Sequence, residues 1–217
     1  MKIYDSGLSP YAARVRLQVY LKGLKAEMIS VPAGGTHTSE YARINPLEKI
    51  PAIDHNGFCL PESSVIGEYI EDVHPTPSLR PSDAKERARM RVIYNIANDY
   101  ILNPLFELFE QFDPKTRNAK VVDEQLTELS KGLKGLEHYI TGGPYALGAS
   151  ASLADCALVP SMFFVNAIAP AFGQATLLDA TPKVKAYWAA VQADASVAKV
   201  LGELTKALSD YMSQPRA

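Results

Sequence analysis

Three short stretches combine residue types suited to gripping a small charged molecule. In NPLEKIPAI (Asn45–Ile53), Pro51 forces Ile50 into an extended conformation, so a strand opening there offers a free backbone edge. In PESSVIGEYIED (Pro61–Asp72), Glu62 and Ser63 stand where an amphipathic helix begins. The first N–H groups of a helix have no intrahelical partner and favour anions. Together these two stretches could hold a short peptide by its backbone and by its terminal charges. In SPYAARVRL (Ser9–Leu17), Ser9 stands at another helix start, with Pro10 inside the first turn. Read alone, Ser9 is a helix cap and Glu62 a first-turn acid that the helix dipole favours.

The first ~75 residues alternate strand and helix signals, as an α/β unit requires. Met1–Tyr4 reads as a strand. A helix follows from Ser9, with Ala13, Leu17, Tyr20 and Leu21 on one face, and Gly23 stops it. Ala26–Val31 reads as a second strand, followed by a looser segment, Gly34–Ile44. Pro51–Asp54 and Phe58–Leu60 make a hairpin with Asn56-Gly57 as the turn. Glu62–Val73 is a helix expected to bury Val65, Ile66, Tyr69, Ile70 and Val73. The proline-rich HPTPSLRPSD (His74–Asp83) is a linker. All that follows is helical: a long stripe from Met90 to Phe112 that Pro104 should kink or break, a second from Val122 to Ile140, then Ser152–Asn166, Pro182–Ala193 and Ser196–Tyr211. Ser213–Ala217 is expected to fray.

Composition narrows the function classes. The chain has 217 residues, 47% of them apolar, which suffices for a packed core. Its 22 basic and 24 acidic side chains give a net charge of −2 and no electrostatic reason to expect nucleic acid or an anionic membrane as partner. No apolar run approaches the ~18–20 residues that span a bilayer. The first residues are polar and carry Arg where a secretory leader needs an apolar run. The cysteines, Cys59 and Cys156, form no CxxC and read as small buried hydrophobes. His37, His55, His74 and His138 lack metal-ligand spacing, so no metal site is expected. A cytoplasmic, reducing setting fits this pattern.

The three stretches, with SLADCALVP (Ser152–Pro160), occur in the order and spacing of one family. The chain resembles the soluble glutathione S-transferases over nearly its whole length. The resemblance implies an α/β thioredoxin-like N-terminal domain at residues 1–75 and an all-α C-terminal helical domain at 84–217, the glutathione transferase fold. SPYAARVRLQVYLKGL looks most like the serine-type classes, such as the zeta class and many bacterial forms.

The resemblance also implies roles. Ser9 would be the catalytic residue. A free thiol has a pKa of about 8.5, and only the thiolate is a strong nucleophile. A hydroxyl donating to that sulfur favours the anion by roughly 1.5–3 kcal/mol, which lowers the pKa by ~1–2 units. Ile50, before an expected cis Pro51, would pair its backbone with the cysteinyl part of glutathione. Glu62 and Ser63 would hold the γ-glutamyl ammonium and carboxylate, and Lys49 a further carboxylate. Tyr11 would border the second-substrate pocket, as would Tyr100 and Asn103 on the long helix; packing is the competing reading for all three. Ser152 and Asp155 form a capping box and are read as folding residues.

The expected activity is a glutathione transferase acting on an electrophilic small molecule, in a homodimer with a detoxifying role. Two alternatives stay open. One is a glutathione-dependent cis-trans isomerase of the maleylacetoacetate or maleylpyruvate type. The other is a non-catalytic binding module of the same fold. Zeta-class isomerases usually show Ser-Ser-Cys ahead of Arg-Val-Arg, where this chain has Ser9-Pro10-Tyr11. No glutathione contact is assigned to the Gly34-Gly35 segment, which reads as mobile.

Overall fold

The computed structural model describes residues 1–32 and 34–213. The expected fraying of Ser213–Ala217 therefore falls almost wholly outside the described residues, as does Ala33 of the Gly34-Gly35 segment. Both glycines of that pair have positive φ, 102° and 85°.

The first unit is built on a four-stranded sheet of order β2-β1-β3-β4, formed by β1 (Lys2–Asp5), β2 (Glu27–Ser30), β3 (Ala52–His55) and β4 (Phe58–Pro61). β2 lies parallel to β1, as a helical crossover requires, while β3 is antiparallel to both β1 and β4. The crossover is α1 (Pro10–Leu21). The short α2 (Ser39–Ala42) precedes β3, and α3 (Ser63–Val73) follows β4. The β3–β4 turn has φ of 57° at Asn56 and 87° at Gly57, the paired positive values that a two-residue hairpin needs. Ile3 and Ile53 from the sheet pack with Val15 and Val19 of α1 and Ile66 and Ile70 of α3.

Two sequence expectations shift here. α1 is buried almost all round, from Ala12 to Val19, rather than on one stripe. On α3 the buried side is Ile66 and Ile70; Val65 and Val73 are exposed, and Tyr69 is only partly buried. The apolar period is right, but Gly67 and Glu71 turn inward, and Val65, Tyr69 and Val73 are left outside.

The second unit spans Arg80–Asp194. Its long first rod comprises α4 (Ala84–Ile96), a π-helical stretch at Ala97–Leu102 and α5 (Asn103–Phe109). This is the break expected from Pro104. Proline offers no N–H, and widening the preceding turn accommodates its ring. Then come α6 (Ala119–Tyr139), α7 (Leu153–Ile168) and α8 (Pro182–Val191). α6 crosses the π stretch closely: a Cβ at Gly132 would stand 2.5 Å from the Tyr100 carbonyl oxygen. α7 starts at the expected capping box. Asp155 accepts from the Ser152 amide and hydroxyl at 2.8 and 2.9 Å and from the Ala146 amide at 2.8 Å. Against expectation, one helical stretch, Leu153–Phe172, is long and apolar enough to match a membrane span. Its interruptions by Asp155, Ser161 and Asn166 do not offset its overall apolarity; 72% of it is buried inside the molecule, as a core helix would be.

The last helix, α9 (Ala195–Ser213), was expected to belong with the helical domain. It groups instead with residues 1–79. Its apolar side, Val197, Val200 and Leu204, is buried, and it packs on α1.

Candidate functional site

The sheet register brings the three motifs of the first unit together. Tyr4 pairs with Ala52, and Ala52 pairs with Pro61. These residues form one row across neighbouring strands about 4.8 Å apart. One step beyond the row lie Asp5, leading to Ser9; Pro51; and Glu62. The carboxyl ends of β1 and β4 and the amino end of β3 thus open onto a single edge.

Ser9 sits in a tight turn, with its N–H donating to the Ser6 carbonyl at 2.9 Å. Its side chain caps α1 by accepting from the Ala12 amide at 3.2 Å. The bland expectation for this residue is therefore met. It does not compete with the chemical one: a hydroxyl oxygen that accepts there keeps its own proton for another acceptor. Arg16, nearly fully buried, grips the same loop. Its Nη1 donates to Asp5 Oδ1 and Oδ2 at 2.7 and 2.5 Å, and its Nη2 to the Gly7 carbonyl at 3.0 Å.

The Ile50–Pro51 bond is cis, and Pro51 is buried. The preceding carbonyl, that of Lys49, accepts from the Tyr41 hydroxyl at 2.9 Å and from Asn45 Nδ2 at 2.5 Å. Both donors are buried. Burial, with the neighbouring Tyr4, pushes the Tyr41 hydroxyl up to about 12, so it stays a donor at ordinary pH. Neither Tyr41 nor Asn45 was singled out in the sequence. The only signal was their position just ahead of the Ile50-Pro51 pair. The Lys49 side chain is exposed, and Ile50 lies beyond the first ladder pair of β3.

Glu62 has φ 69° and ψ 108°, outside the ordinary wells of a residue with a side chain. Such strain costs of order 1–3 kcal/mol and persists only where the surroundings impose it. Its carbonyl accepts the Ile66 amide at 2.8 Å, but its carboxylate makes no cap bond and is exposed. Ser63 is the buried first residue of α3. Tyr11 is half-buried, with the Arg14 guanidinium 4.9 Å from its ring centre. Tyr100 and Asn103 are exposed residues of the second unit; Lys131 Nζ lies 5.2 Å from the Tyr100 ring.

Of the two cysteines, Cys156 is buried as expected, whereas Cys59 on the hairpin strand β4 is only partly buried; that partial burial and the nearby Asp54 push its thiol up from the ordinary value. Among the described residues, no group of three or more His, Cys, Asp or Glu is placed to hold a metal ion.

Residues 3–78 match the model of the glutathione S-transferase N-terminal domain, and residues 94–195 that of the C-terminal domain. The chain belongs to the glutathione S-transferase family. It is 32% identical over 173 residues to a probable maleylacetoacetate isomerase of Vibrio cholerae, covering 74% of this chain and 79% of that protein. It is also 32% identical to glutathione S-transferase 1 of Dianthus caryophyllus, over 75% of this chain and 76% of that protein. Two solved structures share the fold. One is the holo form of a zeta-class bacterial maleylpyruvate isomerase, with TM-score 0.75 and 27% identity over 92% of this chain and 96% of that one. The other is a glutathione S-transferase-I bound with lactoylglutathione, with TM-score 0.78 and 27% identity over 93% of this chain and 98% of that one.

These matches carry the expected fold class, a thioredoxin-like α/β domain followed by helices, and the reading of the chain as a glutathione-using enzyme of the transferase family. The chain has relatives named both as transferases and as isomerases.

Proposed function

We propose that the enzyme binds glutathione at the edge where Ser9, Pro51 and Glu62 converge, and that Ser9 keeps the bound thiol ionised. The carrying observation is the single row Tyr4–Ala52–Pro61, which sets the three motifs at one edge of the sheet. Ile50 would pair with the cysteinyl backbone. Glu62 would take the ammonium, Ser63 and the first α3 amides the γ-glutamyl carboxylate, and Lys49 the glycyl carboxylate. The strained Glu62 backbone supports this reading, since strain of that kind collects at ligand clamps. Ser9 would donate its proton in a hydrogen bond to the thiolate, and the sulfur would then attack an electrophile. No strong base is needed.

Tyr11 would border the electrophile's pocket. The second reading, a cis-trans isomerase in which the thiolate adds to a double bond and leaves again, is favoured by the names of the Vibrio cholerae relative and of the zeta-class structure. The absence of a cysteine from Ser9-Pro10-Tyr11 weighs against it. A homodimer is supported by the exposed apolar side chains Phe58, Val65 and Val73 on β4 and α3, which a partner would cover. A detoxifying role in the cytoplasm completes the reading.

Assay of the pure enzyme with glutathione against a panel of electrophiles and against maleylacetoacetate and maleylpyruvate tests this. Conjugation is the expected result. Isomerisation without conjugation selects the second reading, and neither activity, with no retention on immobilised glutathione, selects a non-catalytic module.

A further inference from the structure

α9 reaches the loop that ends in Ser9 by two routes, one electrostatic and one steric. The Arg16 guanidinium, 3% exposed, uses three sides at once. Nη1 holds the end of β1 through Asp5, and Nη2 holds the loop through the Gly7 carbonyl. Nε faces α9, with Glu203 Oε2 at 3.1 Å. That last contact is an ion pair whose angle is too bent for a hydrogen bond. Glu203 is itself fixed, because its Oε1 accepts the Tyr20 hydroxyl at 2.9 Å. Burial and this carboxylate push that hydroxyl up to about 12, and Lys199 Nζ sits 3.6 Å from the centre of the Tyr20 ring.

The second route is one helical turn further along. A Cβ added to Gly7 would stand 3.3 Å from the Ala207 Cβ. Gly7 has no positive φ, so its backbone does not demand glycine. The close approach of α9 makes an added Cβ tight, so that α9 or the loop would have to give by a few tenths of an ångström. Glu203 and Ala207, four residues apart, share one helix face.

We infer that α9 is a positioning brace for the Ser9 hydroxyl, acting through Arg16 and Gly7. The inference rests on the proposed role of Ser9. A hydroxyl stabilises a sulfur anion only when held within about 0.5 Å and 10–20° of the productive geometry. Within the loop from Asp5 to Ser9 the Ser9 amide bonds to Ser6, while Arg16 holds it from below and α9 stands beside it. Glu203 and Ala207 are thus positioning residues, and they touch no substrate.

The test is the pKa of the thiol in the glutathione-saturated enzyme, followed by thiolate absorbance against pH. A merely structural brace would change thermal stability and leave this quantity alone. Ser9→Ala sets the reference and should raise it by ~1–2 units. Gly7→Ala and Glu203→Gln should each raise it by about half a unit or more, with glutathione affinity within about twofold of the parent. Ala207→Gly added to Gly7→Ala removes the crowding atom and should bring the pKa back. If Ser9→Ala raises the pKa while Gly7→Ala and Glu203→Gln leave it unmoved, the brace is overturned and the Ser9 role stands. If Gly7→Ala raises it and Ala207→Gly fails to restore it, the loop is perturbed independently of α9, and the inference is again overturned. If Ser9→Ala itself has no effect, the Ser9 role falls and the brace's part in chemistry falls with it.

Discussion

Lys22 Nζ lies 2.8 Å from Glu71 Oε1, with both side chains wholly excluded from solvent. The pair is the hub of a network in the first unit. Gln18 donates to Glu71 Oε1 at 3.1 Å and to the Gly67 carbonyl at 2.8 Å, while the Leu79 amide donates to Glu71 Oε2 at 2.9 Å. Lys22 also donates to the Pro77 carbonyl. The end of α1, the end of α3 and the segment leaving the first unit are thereby tied to one buried pair of charges.

Breaking that pair from one side leaves an uncompensated buried charge. Glu71→Gln or Lys22→Met should each cost ~3–5 kcal/mol of unfolding free energy. The double substitution should recover part of this, because no lone charge remains. Urea unfolding of the three variants measures the coupling, and single losses below about 1 kcal/mol would show that the network contributes little.

Ser9→Ala should lower kcat roughly 10- to 100-fold with little change in glutathione affinity, since the lost bond favours the anion by roughly 1.5–3 kcal/mol. Stability should fall by ~1 kcal/mol as well, because the same oxygen caps α1. Turnover at the parental rate would remove the hydroxyl from the chemistry.

Glu62 separates binding from folding. Glu62→Ala removes the carboxylate but keeps a side chain at φ 69°. Glu62→Gly removes both the carboxylate and the strain. Glutathione affinity should drop in both, whereas stability should rise by about 1 kcal/mol in the glycine variant alone. Calorimetric titration paired with thermal melts distinguishes the two effects, and unchanged affinity in both variants would move the ammonium site elsewhere.

Tyr20 and Tyr145 are pushed up to about 12, the first chiefly by burial and then by Glu203, the second chiefly by its 2.7 Å hydrogen bond to Asp194. The ordinary value of 10.0 applies to each hydroxyl in the unfolded chain. Folding therefore favours the neutral phenols. That contribution is complete below pH ~10 and fades as pH rises through ~12, because the unfolded chain gives up these protons first. Alkaline titration should show these phenols ionising late, together with loss of structure. Tyr145→Phe should remove one late step.

Much of both units was legible because the signals are local. The Asn56-Gly57 turn dictates positive φ at two residues of the first unit; in the second, Pro104 interrupts a helical ladder and Ser152 with Asp155 closes a box over three residues. What escaped depends on contacts distant in sequence. A period of 3.6 cannot say whether Ile66 or Val65 faces the sheet when both are apolar. Asn45 and Tyr41 matter because they meet one carbonyl, that of Lys49, which no spacing rule announces. Likewise, α9 has an ordinary amphipathic pattern, and only its pairing with Arg16 and Tyr20 fixes where it docks.

That docking has a consequence for how the protein is made. The strand-bearing unit draws its closing helix from residues 195–213, so every residue from 80 to 194 must leave the ribosome first. At typical synthesis rates this is a wait of roughly ten seconds. Through that interval the nascent chain carries Arg16 and Tyr20 without Glu203, and the outer side of α1 is bare and open to chaperones.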